Sequence, residues 1–269
     1  MKNEKLHFIA LLAATLLLLA PLSVHADEQE DLAKKLANPV ASLISVPFQY
    51  NYDENFGVNN DGSKSVVNIQ PVIPISLGDE LNLISRTILP IVSQNDLPSG
   101  SSETGTGDLL QSFFFSPKEP NSFGLIWGLG PAFMLATASD ETLGSEKWSA
   151  GPTFVGLKQD GHFTYGILAN HLWSFAGDED RNDVDSTFVQ PFLSYITDTK
   201  TTLTLNTEST YDWEGDDWTI PINLTVSQLL KVGSQPISIG LGPRYWAQTP
   251  DAGPDHWGAR VVVVFLFPK

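Results

Sequence analysis

The chain of 269 residues contains no cysteine and only two methionines. Without cysteine it can build neither a disulfide framework nor a thiolate metal site. Its charge is one-sided, with 15 Lys and Arg against 31 Asp and Glu, a formal net charge of −16. So acidic a chain lacks the basic surface that nucleic-acid binding requires. Long apolar runs are also missing. Beyond Ala26 the longest is Val261 to Phe267, far short of the roughly 18 residues of a helical span. An α-helical membrane protein is thereby excluded.

The N-terminus is the exception. Lys2 and Lys5 precede an apolar run, Phe8 to Ala20, and Val24-His25-Ala26 supplies small-residue cleavage chemistry. Residues 1–26 read as a signal peptide, and export follows. The run is short for a membrane-anchoring helix, which needs roughly 20 residues. Residues 27–42 form a short helix-like lead-in, with Leu32, Leu36 and Val40 at helical spacing until Pro39 interferes. An exported domain without disulfides needs another source of closure, and the hydrogen-bonded ring of a β-barrel is one.

From residue 43 to 269 the pattern is alternation. In Leu43–Asn51, Ile44, Val46, Phe48 and Tyr50 point one way while Ser45, Gln49 and Asn51 point the other. Twelve such segments are predicted, at about 43–52, 65–74, 80–91, 107–117, 123–137, 147–158, 162–175, 186–198, 201–213, 217–231, 236–248 and 256–267. The connections alternate between a long set (53–64, 93–106, 138–146, 176–185, 214–217, 249–255) and a short set (76–79, 117–122, 160–161, 198–200, 232–235). Short turns on one side and long loops on the other mark an antiparallel transmembrane up-and-down barrel, and twelve is an even number, as such barrels have. The long loops hold most of the acids. With an exported N-terminus, both termini lie in the periplasm and the long loops face outward.

Aromatic residues near strand ends, among them Trp148, Trp173, Trp218 and Trp257, fit interfacial girdles. The last segment ends on Phe265 and Phe267, as a strand read by the barrel-insertion machinery would. Pro47, Pro71, Pro131, Pro152, Pro191, Pro221 and Pro243 fall inside predicted strands and are expected to sit at bulges or bends. A soluble exported β-sandwich is the rival fold; it would bury the apolar face.

No catalytic set, metal site or cofactor is expected. His171 and Ser174 are three apart on one strand and so face opposite sides. The acidic run Asp178–Asp183 fails the EF-hand pattern, which needs Gly at Asp183 and Glu at Val189. The inward register is more informative. About four residues below the outer rim it carries Arg86, Asn170, Gln190, Glu208, Arg244 and Arg260, with Gln49 and Gln70 nearby, and these are the candidate lumen or constriction residues. Arg244 and Arg260 are symmetric about Ala252 and are expected to face each other across the last hairpin. Like charges so placed repel, so Glu208 is the expected counter-charge.

Several motifs together carry a resemblance: residues 32–49, Asn68–Pro74, Leu83–Pro90, Phe113–Lys118, Gly128–Pro131 and Asn170–Gly177. Across nearly the whole mature chain it resembles the bacterial outer-membrane barrels grouped with the MetA-pathway-of-phenol-degradation proteins. The resemblance implies an outer-membrane transporter, with hydrophobic or aromatic compounds as its implied cargo. The expectation is therefore a twelve-stranded channel for small solutes surrounded by outer-membrane lipid. A non-conducting structural or adhesive barrel and a barrel lipid hydrolase are its rivals.

Overall fold

A computed structural model describes residues 26–268. The expected signal peptide lies outside them, apart from Ala26. Helix α1 spans Ala26–Leu36. The twelve antiparallel strands expected from the alternation follow and close into a barrel. They are β1 (Ile44–Phe56), β2 in two pieces (Gly62–Ile69, Val72–Leu77), β3 (Leu81–Asn95), β4 in two pieces (Ser102–Thr106, Leu109–Pro117), β5 (Ile126–Leu135) and β6 (Lys147–Asp160). The second half comprises β7 (Phe163–Gly177), β8 (Asp185–Ile196), β9 in two pieces (Thr201–Thr207, Ser209–Asp212), β10 (Asp217–Val232), β11 (Gln235–Gln248) and β12 (His256–Phe267). Each strand pairs with its sequence neighbours. β12 returns to β1, from Phe267 opposite Ile44 to Ala259 opposite Tyr52, so no edge is left unpaired.

At the end away from the termini, strands outrun their predicted bounds. β1 and β2 pair through Asp53–Lys64 and Glu54–Ser63, and β3 and β4 through Gln94–Glu103 and Asn95–Ser102. The loops expected at 53–64 and 93–106 shrink to 57–61 and 96–101. Polar residues continue the ladder there, beyond the point where apolar alternation marks a strand. The length rule weakens as a result: the terminal-end connection 118–125 exceeds the distal loop 57–61.

The exterior is apolar. Leu129, Phe154, Ile167, Leu205, Val261 and Phe265 are exposed on it. Aromatic pairs ring both ends. Phe48 meets Phe265 and Phe163 meets Tyr195 at the terminal end, with ring centroids 5.9 and 4.9 Å apart. Tyr245 meets Trp257 at 4.9 Å at the distal end. Such belts suit a barrel held between two membrane interfaces.

The prolines correct the bulge expectation. Of the seven, only Pro221 adjoins a register shift, and Pro71 sits at the break in β2. The steps Gly130-Pro131, Gly151-Pro152 and Gly242-Pro243 keep their register but open the ladder to one neighbour. On β4–β5 the pairing skips from Ser112–Ala132 to Phe115–Leu129, on β6–β7 from Ala150–Trp173 to Thr153–Asn170, and on β10–β11 from Asn223–Arg244 to Val226–Leu241. In each gap the neighbour's carbonyl closes on the glycine. A Cβ there would overlap the oxygen of Phe113, His171 or Leu224. Proline offers that oxygen no N–H, and a glycine lets it approach a Cα–H instead. Pro191 acts differently. It lies opposite the break in β9, where pairing stops at Phe192–Asn206 and resumes at Val189–Ser209.

The N-terminal segment does not simply lead in. Helix α1 carries i,i+4 ion pairs, Glu30–Lys34 and Asp31–Lys35, with its lysines in the last turn, where the helix dipole favours cations. Pro39 stops the helix, and Asn38 turns the chain, its Oδ1 accepting from Val40 N at 3.0 Å. Residues 37–43 then enter the barrel. Leu32, Ala41 and Leu43 pack on Leu229, Val264 and Leu266. Val40 joins Ile84, Phe114, Val155, Leu157 and Leu168. A Cβ on Gly128 would stand 3.3 Å from Val40 Cγ1, so that glycine makes the seat. Two contacts tie α1 to the terminal rim: Lys200 Nζ donates to Glu30 at 2.7 Å, and Gln159 Nε2 donates to the Lys34 carbonyl at 2.8 Å.

Candidate functional site

The inward faces above this plug carry the polar groups. Arg260, on β12, is almost fully buried. Its Nη1 and Nη2 donate to the Glu208 carboxylate at 2.8 and 2.7 Å, and its Nε donates to Asn51 Oδ1 at 2.7 Å. Glu208 reaches it from the break in β9, the same break that faces Pro191. Arg244, on β11, lies 3.7 Å from Asp53 Oδ1 and 4.2 Å from the centroid of the Trp246 ring, whose Nε1 donates to the same oxygen at 2.8 Å. Asn223 continues the layer, its Nδ2 donating to Asn206 Oδ1 at 2.9 Å.

The two arginines are not directly opposite each other. Arg244 pairs in register with Gly258, and Arg260 with Gly242. The hairpin turns about Asp251 rather than Ala252, a two-residue offset that sets each guanidinium across from a glycine. This removes the head-on repulsion expected from the sequence, and each arginine takes its own carboxylate.

Arg86, on β3, donates from Nη2 to Gln70 Oε1 at 3.1 Å. Gln70 lies at the break in β2 and is buried. Arg86, Gln70 and Gln190 border one cavity of about 250 Å³. Residues of the plug from Lys35 to Leu43 form one side of it, with Val72, Leu168, Phe192, Ser194, Thr204 and Asn206 on the barrel wall. Gln49 (β1, opposite Asn68) and Asn170 (β7, opposite Thr153) occupy inward positions but join neither charged cluster among the described residues. Sequence reading overlooked Asp53, Lys64 and Trp246. Asp53 and Lys64 are register partners, and carrying the parity of Gln49 and Asn51 two residues further would have placed Asp53 inward.

His171 faces outward, as its register required. Its Nδ1 lies 2.7 Å from Thr187 Oγ1, its register partner on β8, and its Nε2 lies 3.0 Å from Asp185 Oδ1. Ser174 turns to the other side, where its Oγ donates to Asp183 at 3.1 Å. Asp183 also takes Lys147 Nζ at 3.0 Å. These two donors, Lys147 foremost, hold its carboxyl below the usual carboxylate range. The acidic run 178–183 is thus partly tied to the barrel rim.

No family model and no curated protein matches the chain. A solved structure does. The COG4313 outer membrane channel from Pseudomonas putida F1 superposes with a TM-score of 0.66 at 16% identity, over 84% of this chain and 96% of that one. The outer membrane phospholipase A of Escherichia coli aligns over 84% of this chain and 98% of its own, with a TM-score of 0.48 and 12% identity. What this chain shares with the Pseudomonas channel is the barrel fold.

Proposed function

We propose that the chain is a channel of the Gram-negative outer membrane for small solutes, with its periplasmic mouth narrowed by its own N-terminal segment. The observation that carries this reading is the polar, partly open interior. A barrel built only as a structural post could fill its lumen with apolar side chains. Here the lumen holds the buried pairs Arg244–Asp53 and Arg260–Glu208, and Arg86 borders a cavity of about 250 Å³ together with Gln70 and Gln190. Twelve strands lie between the filled eight-stranded barrels and the open sixteen-stranded porins, which suits a restricted conduit. The fold shared with a channel from Pseudomonas putida F1 supports the same reading.

On this reading the apolar belt contacts outer-membrane lipids and β12 presents its terminal aromatics to the insertion machinery. The Arg244–Asp53 and Arg260–Glu208 pairs form a polar layer across the lumen. The family resemblance implies hydrophobic or aromatic cargo through its pathway association, and no quoted motif fixes a substrate. The expected test is solute efflux from proteoliposomes: small sugars and small aromatic compounds should leave loaded vesicles while large dextrans stay. Retention of every solute would overturn the channel reading.

The Val40 cluster supports a second reading, a non-conducting barrel, because it packs the lumen beside the N-terminal segment with buried apolar side chains. Efflux decides between the two. A lipid-hydrolase reading is less favoured. His171 bonds Thr187 on the outer face while Ser174 turns to Asp183 on the other side, so the two do not form a nucleophile–base pair.

A further inference from the structure

Lys64, Arg86, Arg244 and Arg260 face inward, and three of them have acidic neighbours on that face: Asp53 beside Arg244, Glu208 beside Arg260, and Glu103 in the row that Lys64 shares with Gln94. The arginines differ in their pairing. Of the four arginines, Arg181, Arg244 and Arg260 each have a carboxylate within 4 Å, and Arg86 has none among the described residues. Glu208, which shares this part of the lumen, is already engaged by both terminal nitrogens of Arg260.

Arg86 is also short of acceptors. Its side chain makes one hydrogen bond among the described residues, from Nη2 to Gln70 Oε1. Among the described residues its Nε and Nη1 make no hydrogen bond, and the residue borders the cavity between the plug and the wall. There Gln190 adds a polar group and Val72, Leu168 and Phe192 form an apolar surface. A guanidinium with free, fork-arranged donors is matched by a carboxylate. An apolar surface beside it is matched by a hydrocarbon or aromatic body of limited size.

We propose that this cavity is a binding site for a compact monocarboxylate with an apolar body, its carboxylate on Arg86 and its body against Leu168 and Phe192. The site deepens the channel reading and rests on it for its role, since a small acid held at mid-lumen is a solute in transit. Gln70 holds the guanidinium in place, and Ala37, Asn38, Pro39 and Ala41 of the plug form one side.

Benzoate serves as the probe, titrated calorimetrically into the detergent-solubilised mature chain, with benzamide as its uncharged isostere. Benzoate should bind at least about ten-fold more tightly than benzamide, the difference expected from a charge-assisted hydrogen bond. Arg86→Gln should bring the two to equal affinity. Equal binding of both by the wild-type protein, or no binding of benzoate, overturns the site without any variant. So does undiminished benzoate binding by folded Arg86→Gln. The titration needs no conductance, so failure of the site and failure of the channel are distinguishable: vesicles that pass solutes with a protein blind to benzoate refute only the site. Benzoate binding by a protein that passes nothing refutes only the transit role.

Discussion

Arg260 and Glu208 stand three strands apart in the barrel wall, on β12 and β9, and meet through two hydrogen bonds of 2.8 and 2.7 Å. The contact ties the closing strand to the wall across the lumen. Breaking one side of such a pair leaves a buried charge alone, at a cost of about 3–5 kcal/mol, whereas replacing both partners with apolar groups can be neutral. Glu208→Gln should therefore lower the barrel's unfolding midpoint in detergent clearly, and Arg260→Met with Glu208→Leu should recover most of the loss. Equal losses in the single and double variants would show that the pair only fills space.

The Gly–Pro steps make a second prediction. At Gly151 the His171 carbonyl occupies the place of a Cβ. Gly151→Ala must push two strands apart or abandon the step, which belongs with overpacking costs of about 1–3 kcal/mol or more. Ala150→Gly, one residue away, should cost much less by the same unfolding assay. If the two variants behave alike, the carbonyl approach has no energetic weight.

Acid should loosen the plug. Glu30 lies on α1, outside the wall, and its hydrogen bonds to Lys200 and then Lys34 lower its pKa from 4.5 to about 2. A carboxyl with a depressed folded-state pKa contributes stability above its unfolded value and loses it as pH falls through the folded one. The docking of α1 should thus hold above about pH 4.5 and fade towards pH 2. Protection of the amides of residues 29–36 from hydrogen exchange, compared with Glu30→Gln, reads this directly. A Gln variant with an unchanged acid profile would assign the loss to other groups.

Orientation predicts epitope access. Tags in the distal loops 96–101 or 178–184 should be reached by antibody on intact cells, and a tag at Asp160-Gly161 should not. The reverse pattern would place the termini outside.

Much of this barrel was legible because lipid on one side and a polar lumen on the other impose a period of two on every wall segment. The strand count and the inward parity of Arg86, Glu208, Arg244 and Arg260 followed from that period alone. What failed lay where the period stops reporting. Asp53 and Lys64 extend β1 and β2 beyond the apolar belt, where both faces are polar and alternation disappears. The Arg244–Gly258 register depends on how residues 249–255 fold, and loop symmetry placed it two residues away. The plug was invisible for another reason: Val40 is one apolar residue after a proline, and its seat is assembled from distant strands by Ile84, Phe114, Val155, Leu157 and Leu168, with Gly128 leaving room beside it.

If the lumen conducts behind a plug seated by Val40, unseating that residue must enlarge the current. Single-channel recording of the mature protein in planar bilayers, beside Val40→Asp, tests it most directly. An unpaired carboxylate in that apolar cluster costs several kcal/mol, so the segment should leave while the barrel, to which residue 40 does not belong, stays folded. Small discrete steps are expected from the wild-type chain and larger ones from the variant. Silent bilayers with both proteins, each verified as folded and inserted, would contradict that expectation.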